Sequence, residues 1–116
     1  MNGIVFMKTN DLEKVDNFYR KKLGCQLWLD QAACKIYKAG DFLFGFCQHL
    51  QTKIDENTIL TFFFEDRKEV DKFYDIMKVT AESSPNFNRE FQIYNFFAKD
   101  PEGRKLEFQT FENGEV

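Results

Sequence analysis

Nine residues near the start of the chain return 55 positions later: Asp11 to Tyr19 reads DLEKVDNFY and Asp66 to Tyr74 reads DRKEVDKFY. Five of the nine positions agree, in the pattern D-x-x-x-V-D-x-F-Y, and each copy follows a short apolar run, Ile4 to Met7 and Ile59 to Phe64. A self-similar period fixes an architecture before any local reading does. Two copies are too few for a solenoid, and the offset is almost half of the 116 residues. The chain therefore reads as one internally duplicated domain over 1–116, with a first module at about 1–50 and a second at about 56–112.

A chain of this length is large enough to bury a core without staples. Its 30% charged and 43% hydrophobic residues exclude a disordered polymer. Net charge is −3 with both signs interspersed, so no basic stripe offers itself to nucleic acid. The 15 Phe residues exceed the needs of one small core, and the surplus predicts an aromatic-lined cavity or interface. Cys25, Cys34 and Cys47 form an odd set without CxxC spacing. The first ten residues lack the basic region of a signal peptide, and no window approaches the ~18 apolar residues of a membrane span. These features predict a cytoplasmic protein with reduced thiols and no membrane partner.

Taken in order, Met1 to Thr9 reads as a strand, and Asn10 or Asp11 caps a helix that places Leu12, Val15, Phe18, Tyr19 and Leu23 on one face. Gly24 ends that helix. Strands follow at Cys25 to Asp30, Ala33 to Ala39 and Asp41 to Gln48, the last two joined at Gly40. Leu50 to Asn57 is a polar linker. The second half repeats the order: a strand at Thr58 to Glu65, then a helix grouping Val70, Phe73, Tyr74 and Met77. A loop-like stretch at Thr80 to Arg89 could conceal a short strand. Gln92 to Lys99 and Lys105 to Phe111 are strands around the Asp100-Pro101-Glu102-Gly103 turn. The expected fold class is α+β, two tandem β-α-β-β-β modules.

A chain with Asp11-Leu12-Glu13-Lys14, Phe18-Tyr19 and Leu23-Gly24, then Asp100-Pro101-Glu102-Gly103 leading into Leu106-Glu107-Phe108, resembles the vicinal oxygen chelate superfamily. That group contains glyoxalase I, the extradiol dioxygenases and the bleomycin-resistance proteins. The resemblance covers essentially the whole chain and implies two modules curling around a cleft. Metal-dependent members hold their ion through four equivalent strand positions, which fall here on Ile4, Gly45, Ile59 and Glu107. Only Glu107 is a donor, and a catalytic cation needs about three protein ligands. No metal or other cofactor is therefore expected. A shift of register would place Gln48 where Gly45 stands. Cys47 and His49 share a face at strand spacing, although two donors fall short of a closed site.

Glu107 is the best catalytic candidate, because a carboxylate among aromatic walls suits acid/base work; the plainer alternative is a strand carboxylate paired with Lys105 or Arg104. On the face that the resemblance implies is the cleft, alternation along the strands places Ile4, Phe6, Leu43, Gly45, Cys47, Ile59, Thr61, Phe63, Glu107, Gln109 and Phe111. Of these, Phe6, Cys47, Thr61, Phe63, Glu107, Gln109 and Phe111 are the expected ligand-binding residues. Trp28 and Tyr37 could cap a ligand or belong to packing. The leading function is metal-independent binding of a small molecule, most like the bleomycin-resistance members. The alternatives are a lyase, isomerase or dioxygenase-type enzyme with an incomplete metal site, and an interaction protein whose cleft has filled. A homodimer is expected, since the aromatic surplus is best buried between chains.

Overall fold

Every shared residue of the repeat has a structural role in a computed structural model of the chain, which describes Met1–Asn113. The leading aspartate is the N-cap in both copies: Asp11 accepts from the Lys14 N–H and Asp66 from the Glu69 N–H, each at 3.1 Å. Val15 and Val70 are fully buried. The second aspartate accepts a tyrosine hydroxyl from a later strand, Tyr37 to Asp16 and Tyr94 to Asp71, both at 2.7 Å.

The first compact unit, Met1–Ile54, contains β1 (Val5–Thr9), α1 (Leu12–Asp16), β2 (Gln26–Asp30), β3 (Cys34–Ala39) and β4 (Phe42–Gln48). Its sheet order is β1-β4-β3-β2, with β1 parallel to β4 and the other pairs antiparallel. The second unit, from Asp55, contains β5 (Ile59–Phe64), α2 (Arg67–Met77), β6 (Asn86–Asn88), β7 (Ile93–Lys99) and β8 (Lys105–Phe111). Its order is β5-β8-β7-β6 with the same pattern of pairing. The architecture is α+β with two repeated modules, and β6 is the strand that the loop-like stretch conceals. No helix among the described residues is long and apolar enough to cross a membrane.

Each unit packs its helix on one face of its sheet through aromatic rings. Tyr19 stacks on Phe46 with centroids 4.9 Å apart, and Phe73 of the second helix stacks on Phe64 at 4.9 Å. The two helices nonetheless differ. α1 runs into a π-helical stretch, Asn17–Lys22, in which the Leu23 N–H reaches back five residues to the Phe18 carbonyl. Phe18 and Tyr19 are both buried there, whereas Phe73 and Tyr74 on the regular α2 are half-buried, so the two pairs are not equally enclosed. Gly24, at φ +80°, closes the first helix as expected.

The expectation of reduced thiols is corrected at the β3–β4 hairpin. Cys34 and Cys47 lie directly opposite each other, with Cα atoms 4.0 Å apart, and are joined in a disulfide. The Gln48 N–H donates to the Ala33 carbonyl, so the pair occupies a non-hydrogen-bonded rung, where cross-strand side chains come closest. Cys25 is the one free cysteine, and burial pushes its thiol up to about 11.

Candidate functional site

The Asp100–Gly103 turn sets what faces what on the second sheet. Asp100 Oδ1 accepts from the Glu102 and Arg104 N–H groups at 2.9 and 3.0 Å, and the buried Arg104 guanidinium returns to Asp100 Oδ2 at 3.0 Å. Held this way, β7 and β8 pair from Lys99 opposite Lys105 outward. Leu106 and Phe108 then turn into the core, where Phe108 stacks against Phe73 of α2 at 5.5 Å. Glu107, Gln109 and Phe111 alternate to the other face.

On that face the register places Thr61 and Phe97 on either side of Glu107, and Phe63 and Asn95 on either side of Gln109. The Thr61 hydroxyl donates to Glu107 Oε1 at 2.9 Å, and Asn95 Nδ2 donates to Oε2 at 2.8 Å. The carboxylate is thus fixed by one neutral donor on each oxygen. Around it lies a pocket of about 440 Å³ with apolar walls from Phe91, Ile93, Phe97 and Phe111 and amides from Asn95 and Gln109. The volume lies within the usual range for small-molecule sites.

Of the residues expected from sequence, Glu107, Gln109 and Phe111 line this pocket, and Thr61 orients its carboxylate. Phe63 shares their face and meets Phe111 edge-on at 5.5 Å. Phe6 and Cys47 belong to the first unit. Cys47 is not available there as a thiol, since the disulfide consumes it. Tyr37 is fully buried and bonded to Asp16, so it is core and not a ligand cap, whereas Trp28 stands at an irregularity of β2 and is partly exposed. Asn95, Phe97 and Phe91 were not singled out from sequence. For the first two the signal was present: counting outward from the Asp100–Gly103 turn pairs Phe97 with Glu107 and Asn95 with Gln109. Phe91 precedes its strand, and no alternation points to it.

The first unit's counterpart of Glu107 is fixed by register. Phe6 pairs with Gly45 as Thr61 pairs with Glu107, which retains Gly45 over Gln48 at the equivalent position. Gln48 instead secures the start of α1. Its Oε1 accepts from the Leu12 N–H at 2.8 Å, and its Nε2 donates to the Asn10 carbonyl at 2.7 Å. A Cβ at Gly45 would lie 2.8 and 2.9 Å from the Phe6 ring, so that ring occupies the room of a side chain. His49 lies against Thr52, with Nδ1 3.3 Å from its hydroxyl. The four positions implied by the resemblance thus carry Ile4, Gly45, Ile59 and Glu107, one donor in all, and both oxygens of that donor are already engaged. Such a set does not fit a chelated divalent ion.

No family model matches the chain, and no curated protein matches it. Solved structures do. A glyoxalase/bleomycin resistance protein/dioxygenase from Nocardioides is 16% identical, with a TM-score of 0.77 over 99% of this chain and 85% of its own. An integron cassette protein from the mobile metagenome of Halifax Harbour Sewage Outfall is 19% identical, with a TM-score of 0.79 over 96% of this chain and 98% of its own. A lactoylglutathione lyase from Agrobacterium tumefaciens is 17% identical, with a TM-score of 0.74 over 95% of this chain and 92% of its own. Likeness at these identities is a likeness of fold, and by it the chain has the fold of the glyoxalase/bleomycin resistance/dioxygenase proteins.

Proposed function

We propose that the chain binds a small organic molecule in the second unit without the aid of a metal ion. The observation that carries this reading is Glu107, held by Thr61 and Asn95 among the aromatic rings of a pocket large enough for such a ligand. The apolar walls supply the bulk of the affinity by losing contact with water, and Glu107, Asn95 and Gln109 fix orientation. Glu107 acts here as a fixed acceptor, oriented by Thr61 on one oxygen and Asn95 on the other, with lone pairs left for a ligand donor. Binding in place of turnover also agrees with the donor-poor set Ile4, Gly45, Ile59 and Glu107. The lyase named among the structural neighbours represents the competing reading.

A thermal-shift screen of small aromatic compounds, followed by calorimetry, tests the proposal. Hits should bind one per chain in the presence of chelator, and Asn95→Ala should weaken them about fivefold, since Glu107 loses the donor that orients its Oε2. Stoichiometric metal that survives dialysis, or turnover that chelator abolishes, would overturn it in favour of the enzyme.

A further inference from the structure

The pocket holds a carboxylate that no cation contacts. Among the described residues the ion pairs involve Asp16, Asp30, Glu112, Asp75, Asp100 and Glu102, and Glu107 is in none of them. Its partners, the Thr61 hydroxyl and the Asn95 amide, are both neutral. A carboxylate offers about four lone-pair sites, so two are still open to a ligand. Lys105 shares this face, two residues away along β8. Its ammonium lies instead over the Phe97 ring, 4.4 Å from the centroid. Phe97 is a wall of the pocket, so this aromatic surface already carries a cation.

We infer that the pocket selects a ligand carrying a protonated amine on an apolar body, with its ammonium at Glu107 and its body against Phe91, Phe97 and Phe111. The inference rests on the reading of this pocket as a binding site and adds the ligand's charge. An N⁺–H donor gains a charge-assisted bond from the open lone pairs of Glu107, which a neutral hydroxyl makes only in weaker form. The Phe97 face already holds the Lys105 ammonium, so the ligand's charge is read at Glu107 and the rings serve its apolar body. A carboxylate or phosphate ligand meets the repulsion of Glu107, and the net charge of −3 opposes its approach.

Calorimetry with three probes of one skeleton tests this: a naphthylmethyl amine, the corresponding alcohol and the corresponding carboxylate, each titrated at neutral pH. The amine should bind tightest, about tenfold above the alcohol, and the carboxylate weakest. Glu107→Gln should erase the gap between amine and alcohol, because a neutral amide offers no charge-assisted bond to either. Lys105→Met should tighten the amine by removing a like charge. Equal binding of amine and alcohol to the unaltered protein overturns the charge preference and leaves the pocket reading standing. So does tightest binding of the carboxylate, with that affinity lost in Lys105→Met. Binding by none of the three overturns both. The ranking on the unaltered protein needs no variant, so a misfolded Glu107→Gln leaves the test intact.

Discussion

The repeat makes the same hydrogen bond twice, in two surroundings. Tyr37 donates to Asp16 from a fully buried position, and Tyr94 donates to Asp71 at the exposed rim of the second unit. Losing a bond to a charged group costs more where water cannot replace it. Tyr37→Phe should therefore lower unfolding free energy by about 1.5–3 kcal/mol, and Tyr94→Phe by less than about 1 kcal/mol, both read from urea titrations. The Asp16 carboxyl is held below its ordinary range, chiefly by the bidentate Arg20 guanidinium and then by Tyr37, with burial opposing them. A depressed pKa gives stability that is present above the unfolded-state value and is lost as pH falls through the lower folded value. Asp16→Asn should accordingly flatten the loss of stability on acidification below the ordinary carboxylate range. Single residues of this kind were half legible. Asp16 stood out as a shared letter of the repeat, but its tyrosine lies 21 residues away on another strand, and only the folded register brings the two together.

At the scale of elements, strands and helices were readable because their apolar residues follow the periods of their backbones. Two departures were not. Asn86–Asn88 has too little alternation to declare a strand and exists by pairing with β7. The π-helical stretch breaks the helical period and leaves no mark in residue type. The disulfide was legible in retrospect: the hairpin pairs Ala39 with Phe42, and five rungs further out Cys34 with Cys47. A pair 13 residues apart closes a loop whose entropy the unfolded chain loses. Reduction should lower stability by about 2–3 kcal/mol on the chain-entropy estimate. Urea titrations with and without reductant measure this, and the Cys34→Ala, Cys47→Ala double variant should be insensitive to the reductant.

At the scale of the whole molecule the duplication was the most legible feature, since it needs only the sequence compared with itself. The surplus of Phe is now located. Phe6, Phe63, Phe87, Phe91 and Phe111 all keep more than two fifths of their surface exposed. Exposed rings on this scale favour association, and closed two-fold pairs are the usual outcome. Sedimentation at micromolar concentration should give about twice the 13.8 kDa of the chain, and Phe63→Ser with Phe111→Ser should shift it toward monomer. The two halves have meanwhile parted in chemistry, with a carboxylate at Glu107 and nothing at Gly45. Any side chain placed at Gly45 meets the Phe6 ring first. A Cβ there would push the half-exposed Phe6 ring aside, so Gly45→Ala should turn that ring outward. One half of the repeat is thus closed by a ring from its own first strand, where the other keeps a carboxylate between Thr61 and Asn95.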